Sequence, residues 1–159
     1  MNFLAFDPSG NFENGKGTSG WCAFINNEIT IGTIAAEDSA TIEEHFIKHI
    51  ELIDNSNVDV LVCESYRLQG NKAMQQTGSS LETPQLIGAI RLACYNKRIK
   101  FVLQEPSQKV RFSDDMLVEM NVLTKKGRSY FFEGQLTTLH ERDAIRHALI
   151  FKKKQERLK

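Results

Sequence analysis

The sequence predicts an α/β fold: a mixed sheet with helices on its faces, built by a single domain over residues 1–159. Three observations carry this. Short apolar runs too brief for helices recur at residues 2–7, 58–63 and 99–103. The first run is followed by a hairpin signature, so the chain opens as an antiparallel meander. The later runs are separated by stretches whose apolar residues recur at helical spacing.

Residues 2–7, Asn-Phe-Leu-Ala-Phe-Asp, form the first strand and end on Asp7. A loop with Gly10, Gly15 and Gly17 covers 8–18. Residues 19–25 and 28–35 are strands two and three, joined through Asn26-Asn27, which tolerate positive φ in a two-residue turn. Ile42, Phe46, Ile50 and Ile53 line one face of a helix over 41–54, with His45 and His49 on its solvated shoulder. Residues 58–63 are strand four and deliver Glu64; 65–80 is a polar loop. Thr83-Pro84 predicts a helix start, Thr as N-cap and Pro at the first position, running to about Asn96. Residues 99–103 are strand five. Ser107 to Phe112 begins another helix, and a further short one through Met116, Leu117, Met120 and Leu123 follows, closed by Lys125-Lys126-Gly127. The last helix spans about 138–154. No pattern is assigned to 128–136.

The composition is that of an ordinary globular chain, 41% apolar and 25% charged, with a formal net charge of zero. Charge is uneven. Lys109, Arg111, Lys125, Lys126 and Arg128 form one basic group, and the C-terminal run Lys152-Lys153-Lys154 with Arg157 and Lys159 reads as a solvated tail. Cys22, Cys63 and Cys94 are widely spaced with no CxxC, as expected of reduced core cysteines in a cytoplasmic protein. A signal peptide and a membrane-spanning segment are not expected.

Asp7 and Glu64 each end an apolar strand, and a buried carboxylate needs a partner such as a cation. If the two strands are neighbours, both acids emerge at one edge. On the last helix, at about 100° per residue, His140, Asp143 and His147 fall within roughly 60° of one another, while Glu141 points about 160° from Asp143. His147 lies one turn farther along and is the weaker candidate. Carboxylates gathered from several elements suit hard divalent cations, Mg2+ or Mn2+, and two such ions about 4 Å apart hydrolyse phosphodiesters. Taken singly, Asp7 also reads as a turn cap, Glu64 as an exposed strand end, and His140 with Asp143 as a solvated helix face.

Phe6-Asp7-Pro8-Ser9 with Ser19-Gly20-Trp21, then Val60-Leu61-Val62-Cys63-Glu64, then Pro84-Gln85-Leu86-Ile87-Gly88-Ala89-Ile90-Arg91, then His140-Glu141-Arg142-Asp143-Ala144, resembles the RuvC-type Holliday-junction resolvases of the ribonuclease H-like superfamily. The resemblance implies a five-stranded sheet of order 3-2-1-4-5 with strand 2 antiparallel. It implies a homodimer that binds a four-way DNA junction and nicks it symmetrically in recombination and repair. Asp7, Glu64, His140 and Asp143 would be the catalytic, metal-binding set, where family members carry either Asp or His at the position of His140. The loop after the second acid, with Tyr66, Arg67 and Lys72, would reach the junction, Tyr66 as a wedge between bases. Lys109 and Arg111 would contact phosphate at the active edge.

The loop from Pro8 to Thr18 is longer than the family's Asp-Pro-Gly turn, Ser9 stands where the Gly would be, and 113–136 matches poorly. These departures suggest a divergent, phage-borne branch. Three alternatives stay open: a ribonuclease H-like enzyme cutting RNA–DNA hybrids or other branched DNA, a nucleotide-binding domain of the actin and sugar-kinase type, and a non-catalytic junction-binding module.

Overall fold

The computed structural model describes residues 1–13, 15–67 and 81–158. The sheet has five strands in the order β3-β2-β1-β4-β5: β1 Phe3–Asp7, β2 Thr18–Ile25, β3 Glu28–Ala35, β4 Val60–Glu64 and β5 Lys100–Gln104. β2 runs antiparallel to β1 and β3, whereas β1, β4 and β5 are parallel. Order and directions are those expected. Asn26 and Asn27, at φ 53° and 68°, close the β2–β3 hairpin in the left-handed conformation that Asn tolerates.

The central strands are covered on both faces, which is why they read as unbroken apolar runs. Alternation along each strand splits the core in two. Phe3, Ala5, Val60 and Val62 pack with Ala144, Ile145, Ala148 and Phe151 of the last helix, α4 (Leu139–Glu156). Leu4, Phe6, Leu61 and Cys63 pack on the opposite face with Ile53 of α1 (Ile42–Asn55) and with Leu86, Ile90 and Cys94 of α2 (Glu82–Asn96). The three cysteines are buried and free, and burial pushes the Cys22 thiol up to about 12. Among the described residues no helix is long and apolar enough to cross a membrane.

Several expectations are corrected. α2 starts at Glu82 after Leu81, and Thr83 is not its cap. The Thr83 hydroxyl instead accepts the Gly10 N–H at 3.0 Å, so a good local cap is spent on a tertiary contact. Residues 106–111 form a 3-10 helix rather than an α-helix, and the next helix, α3, is only Asp114–Glu119, capped by Ser113. Lys125-Lys126-Gly127 does not close a helix. It lies in a small antiparallel sheet, β6 (Thr124–Lys126), β7 (Ser129–Phe132) and β8 (Gln135–Leu136). Gly127 has φ 60°, a conformation that a helix end and a tight strand turn both request, so the local signal was ambiguous. Tyr130 and Phe132 tie this sheet to the core beneath α4.

His45 and His49 are fully buried, not solvated. Their partners are distant in sequence. His45 Nε2–H donates to the Ser9 carbonyl at 2.9 Å. His49 Nδ1–H donates to the His45 carbonyl, and its Nε2 lies 2.8 Å from the Ser19 hydroxyl, which also receives the Ser9 N–H. Burial pushes His49 down to about 4, so the ring is neutral. This network clamps the backbone on both sides of Asp7: Ser9 follows it, and Ser19 precedes Gly20, its partner across the strands.

Candidate active site

Phe6 lies opposite Cys63 in the parallel β1–β4 pair, so the next residue of each strand, Asp7 and Glu64, leaves the sheet at one edge. The third carboxylate, Asp143, comes from the first half of α4. A capping box starts that helix: the Thr138 hydroxyl accepts the Glu141 N–H, and Glu141 accepts the Thr138 N–H at 2.7 Å. Glu141 is thereby engaged in the cap, consistent with its angular separation from Asp143. α4 then lies directly on β2 at Gly20. A Cβ there would stand 2.0 Å from the His140 carbonyl oxygen, so only glycine admits the helix at this distance.

His140 Nδ1 meets Asp7 Oδ2 at 2.8 Å. That hydrogen bond and the Asp7 charge outweigh partial burial and hold the imidazole above its ordinary value. Lys109, carried by the 3-10 segment after β5, places its ammonium 3.0 Å from Glu64 and 2.7 Å from Asp143. Burial lowers the Lys109 pKa, but the bond to Asp143 and the charges of Glu64 and Asp7 reverse the effect and leave it raised. Burial likewise pushes the Glu64 carboxyl up, and the His147 hydrogen bond with the Lys109 charge brings it below its usual value.

Of the residues singled out from sequence, Asp7, Glu64, His140, Asp143 and Lys109 come together here. Tyr66 is half-buried just beyond Glu64. Arg67 is exposed and held by both oxygens of Glu105, at 2.7 and 2.8 Å. Lys72 lies outside the described residues. Arg111 is exposed and away from the carboxylates, on the surface beside the end of α4. Three further residues belong to the site. His147, the weaker candidate because it lies one turn farther along, donates from Nε2 to Glu64 at 2.6 Å, while Nδ1 faces the Gln104 amide oxygen at 2.8 Å. Gln104 ends β5 as Asp7 and Glu64 end their strands, a signal that was open to reading. Arg146 joins Asp143 to Asp114. It sits one helical turn from Asp143, and only the fold brings Asp114 to it.

The donor set is hard and anionic, and a cation already stands in it: the Lys109 ammonium bridges Glu64 and Asp143. Among the described residues no three acidic, His or Cys side chains are gathered ready to hold an ion. The carboxylates are instead paired off by Lys109, Arg146, His147 and His140. Their chemistry fits a divalent cation, with Lys109 as the group it would displace.

No protein-family model matches the chain, and no curated protein sequence does. Solved structures do. T. thermophilus RuvC in complex with Holliday junction substrate superposes with a TM-score of 0.63 at 13% identity, over 98% of this chain and 96% of that one. The fowlpox virus Holliday junction resolvase gives 0.55 at 14% identity, over 98% and 99%. The fold is therefore ribonuclease H-like. Its strand order and directions are those of the fold these two structures share.

Proposed function

We propose that this chain is a divalent-metal-dependent, structure-selective DNA endonuclease that nicks four-way junctions symmetrically as a homodimer. The observation that carries the reading is the meeting of Asp7, Glu64, His140 and Asp143 at the carboxyl edge of β1 and β4. Ligands bind at that edge in α/β sheets generally. Support comes from the two matched structures, one bound to a Holliday junction and one described as a Holliday junction resolvase. Two symmetric nicks require two active sites, hence the dimer. Three buried free cysteines suit a reducing compartment, the cytoplasm of a bacterial or phage-infected cell.

Asp7, Glu64 and Asp143 would hold Mg2+ or Mn2+, two ions by the usual stoichiometry of such sites. The bound metal supplies charge neutralisation at the scissile phosphate and a more acidic water. The protein supplies the rest. With Nδ1 held by Asp7, His140 presents Nε2 as the ring nitrogen free to take a proton from the attacking water. His147 and Gln104 orient the Glu64 carboxylate. Arg146, itself fixed by Asp114, orients that of Asp143. Lys109, once released from the carboxylates, is placed to meet a phosphate oxygen. Tyr66 and Arg67 enter the proposal as contacts of the loop beyond Glu64 with the junction, as does Lys72.

The test is cleavage of a labelled synthetic four-way junction with Mg2+ or Mn2+, beside linear duplex and RNA–DNA hybrid, by wild type and Asp7→Asn. Paired symmetric nicks in the junction, lost in Asp7→Asn, are expected. Cleavage of the hybrid with an intact junction would replace this reading by a ribonuclease. Junction binding without cleavage would replace it by a binding module.

A further inference from the structure

Farther along α4 from the carboxylates, the surface holds a second concave site that the chemistry above does not use. A cavity of about 140 Å³ opens between the 3-10 segment, α3 and the end of α4. Four cationic side chains line it: Arg111 from the 3-10 segment, Lys153 and Lys154 from the last turn of α4, and Arg157, which follows that helix. Its floor is apolar, formed by Phe112 and Ile150.

These four cations differ from the other bases near the site. Lys109, Arg142 and Arg146 are each committed to carboxylates. Among the described residues no carboxylate forms an ion pair with Arg111, Lys153, Lys154 or Arg157, and no carboxylate lines the cavity. Lys154 is anchored by a neutral partner, the Gln108 amide oxygen at 2.9 Å, and Lys153 lies 5.8 Å over the Phe112 ring. Favourable contact with the helix dipole accounts for basic residues in the last turn of α4, but not for Arg111, which arrives from another element. In a chain of zero net charge, four uncompensated cations around one depression repel one another unless an anion joins them.

The geometry points to a backbone phosphate of the bound DNA, held here while the neighbouring stretch of the same strand occupies the carboxylates. The same 3-10 segment, Pro106–Arg111, carries Lys109 into the carboxylates and Arg111 into the cavity. A strand that follows this segment from the active edge would reach the depression. Arg111 and Lys154 supply charge-assisted hydrogen bonds to phosphate oxygens, and the floor meets the sugar. The inference rests on the proposed DNA-cutting role.

The test compares wild type with Arg111→Ala/Lys154→Ala in equilibrium binding to a four-way junction over a salt series. The double variant is expected to lower the slope of log K against log salt by about two. Neutral methylphosphonates placed singly along the strand beside the nick should weaken wild type at one position and leave the double variant indifferent there. The conservative pair Arg111→Lys/Lys154→Arg should keep the wild-type slope. An unchanged slope in the alanine pair overturns the inference, as does an equal loss in the conservative pair, which would mark a structural effect. If the protein binds and cuts DNA with the slope unchanged, only this inference falls. If it binds no DNA, the proposed function falls as well.

Discussion

His140 Nδ1 lies 2.8 Å from Asp7 Oδ2 across 133 positions of sequence, joining the last helix to the first strand. The contact raises the imidazole pKa, so its stabilisation is fully present below the unfolded value of about 6.5 and is lost as pH rises through the folded one. NMR titration of the His140 ring should show its midpoint above the ordinary range in wild type and lower in Asp7→Asn. A midpoint that does not move between the two would break the proposed coupling.

A metal ion held as proposed by Glu64 and Asp143 would compete with the Lys109 ammonium that bridges them. Lys109→Met should bind Mn2+ about tenfold more tightly than wild type without DNA, a gain of about 1.4 kcal/mol. Without metal it should melt at a lower temperature, because two partly buried carboxylates each lose one of their cationic or hydrogen-bonding partners. A Mn2+ titration followed by electron paramagnetic resonance reads the first effect. Equal or weaker binding would show that ion and lysine do not share a place.

Gly20 admits α4 to within contact of β2. Gly20→Ala must push the His140 backbone away, because the added carbon would meet a carbonyl oxygen rather than a flexible side chain. The expected cost is about 2 kcal/mol or more in stability. Cleavage should fall by about a hundredfold even where the variant is folded, as a shift near 1 Å at the chemistry commonly costs that much. Near-normal cleavage by the folded variant would show that the site tolerates a displaced helix.

The buried His49 ring gives an acid limit. Its pKa is near 4 folded and about 6.5 unfolded, so the unfolded chain binds more protons between those values. Stability should therefore fall as pH drops from about 6.5 toward 4, by on the order of 3 kcal/mol from this ring alone. Urea melts across that range should show the loss in wild type and much less pH dependence in His49→Gln. The same slope in both would assign the acid sensitivity to other groups.

Sequence alone determined the strand frame and its acids. Apolar runs buried on both faces, the Asn26-Asn27 turn and the carboxylates at strand ends are local features, legible because burial and turn chemistry act residue by residue. The helical angle between His140, Asp143 and His147 was equally local. The tertiary structure alone decided what those groups touch. Whether His45 and His49 are solvated or buried depended on Ser9 and Ser19 reaching α1. Whether Thr83 capped a helix or held Gly10 depended on the docking of the 8–17 loop. Lys109 between Glu64 and Asp143, Arg146 fixed by Asp114, and the strands at 124–136 all rest on contacts between distant segments. Such contacts leave no periodic trace in the sequence, because a side chain's partner is set by where the backbone elements pack.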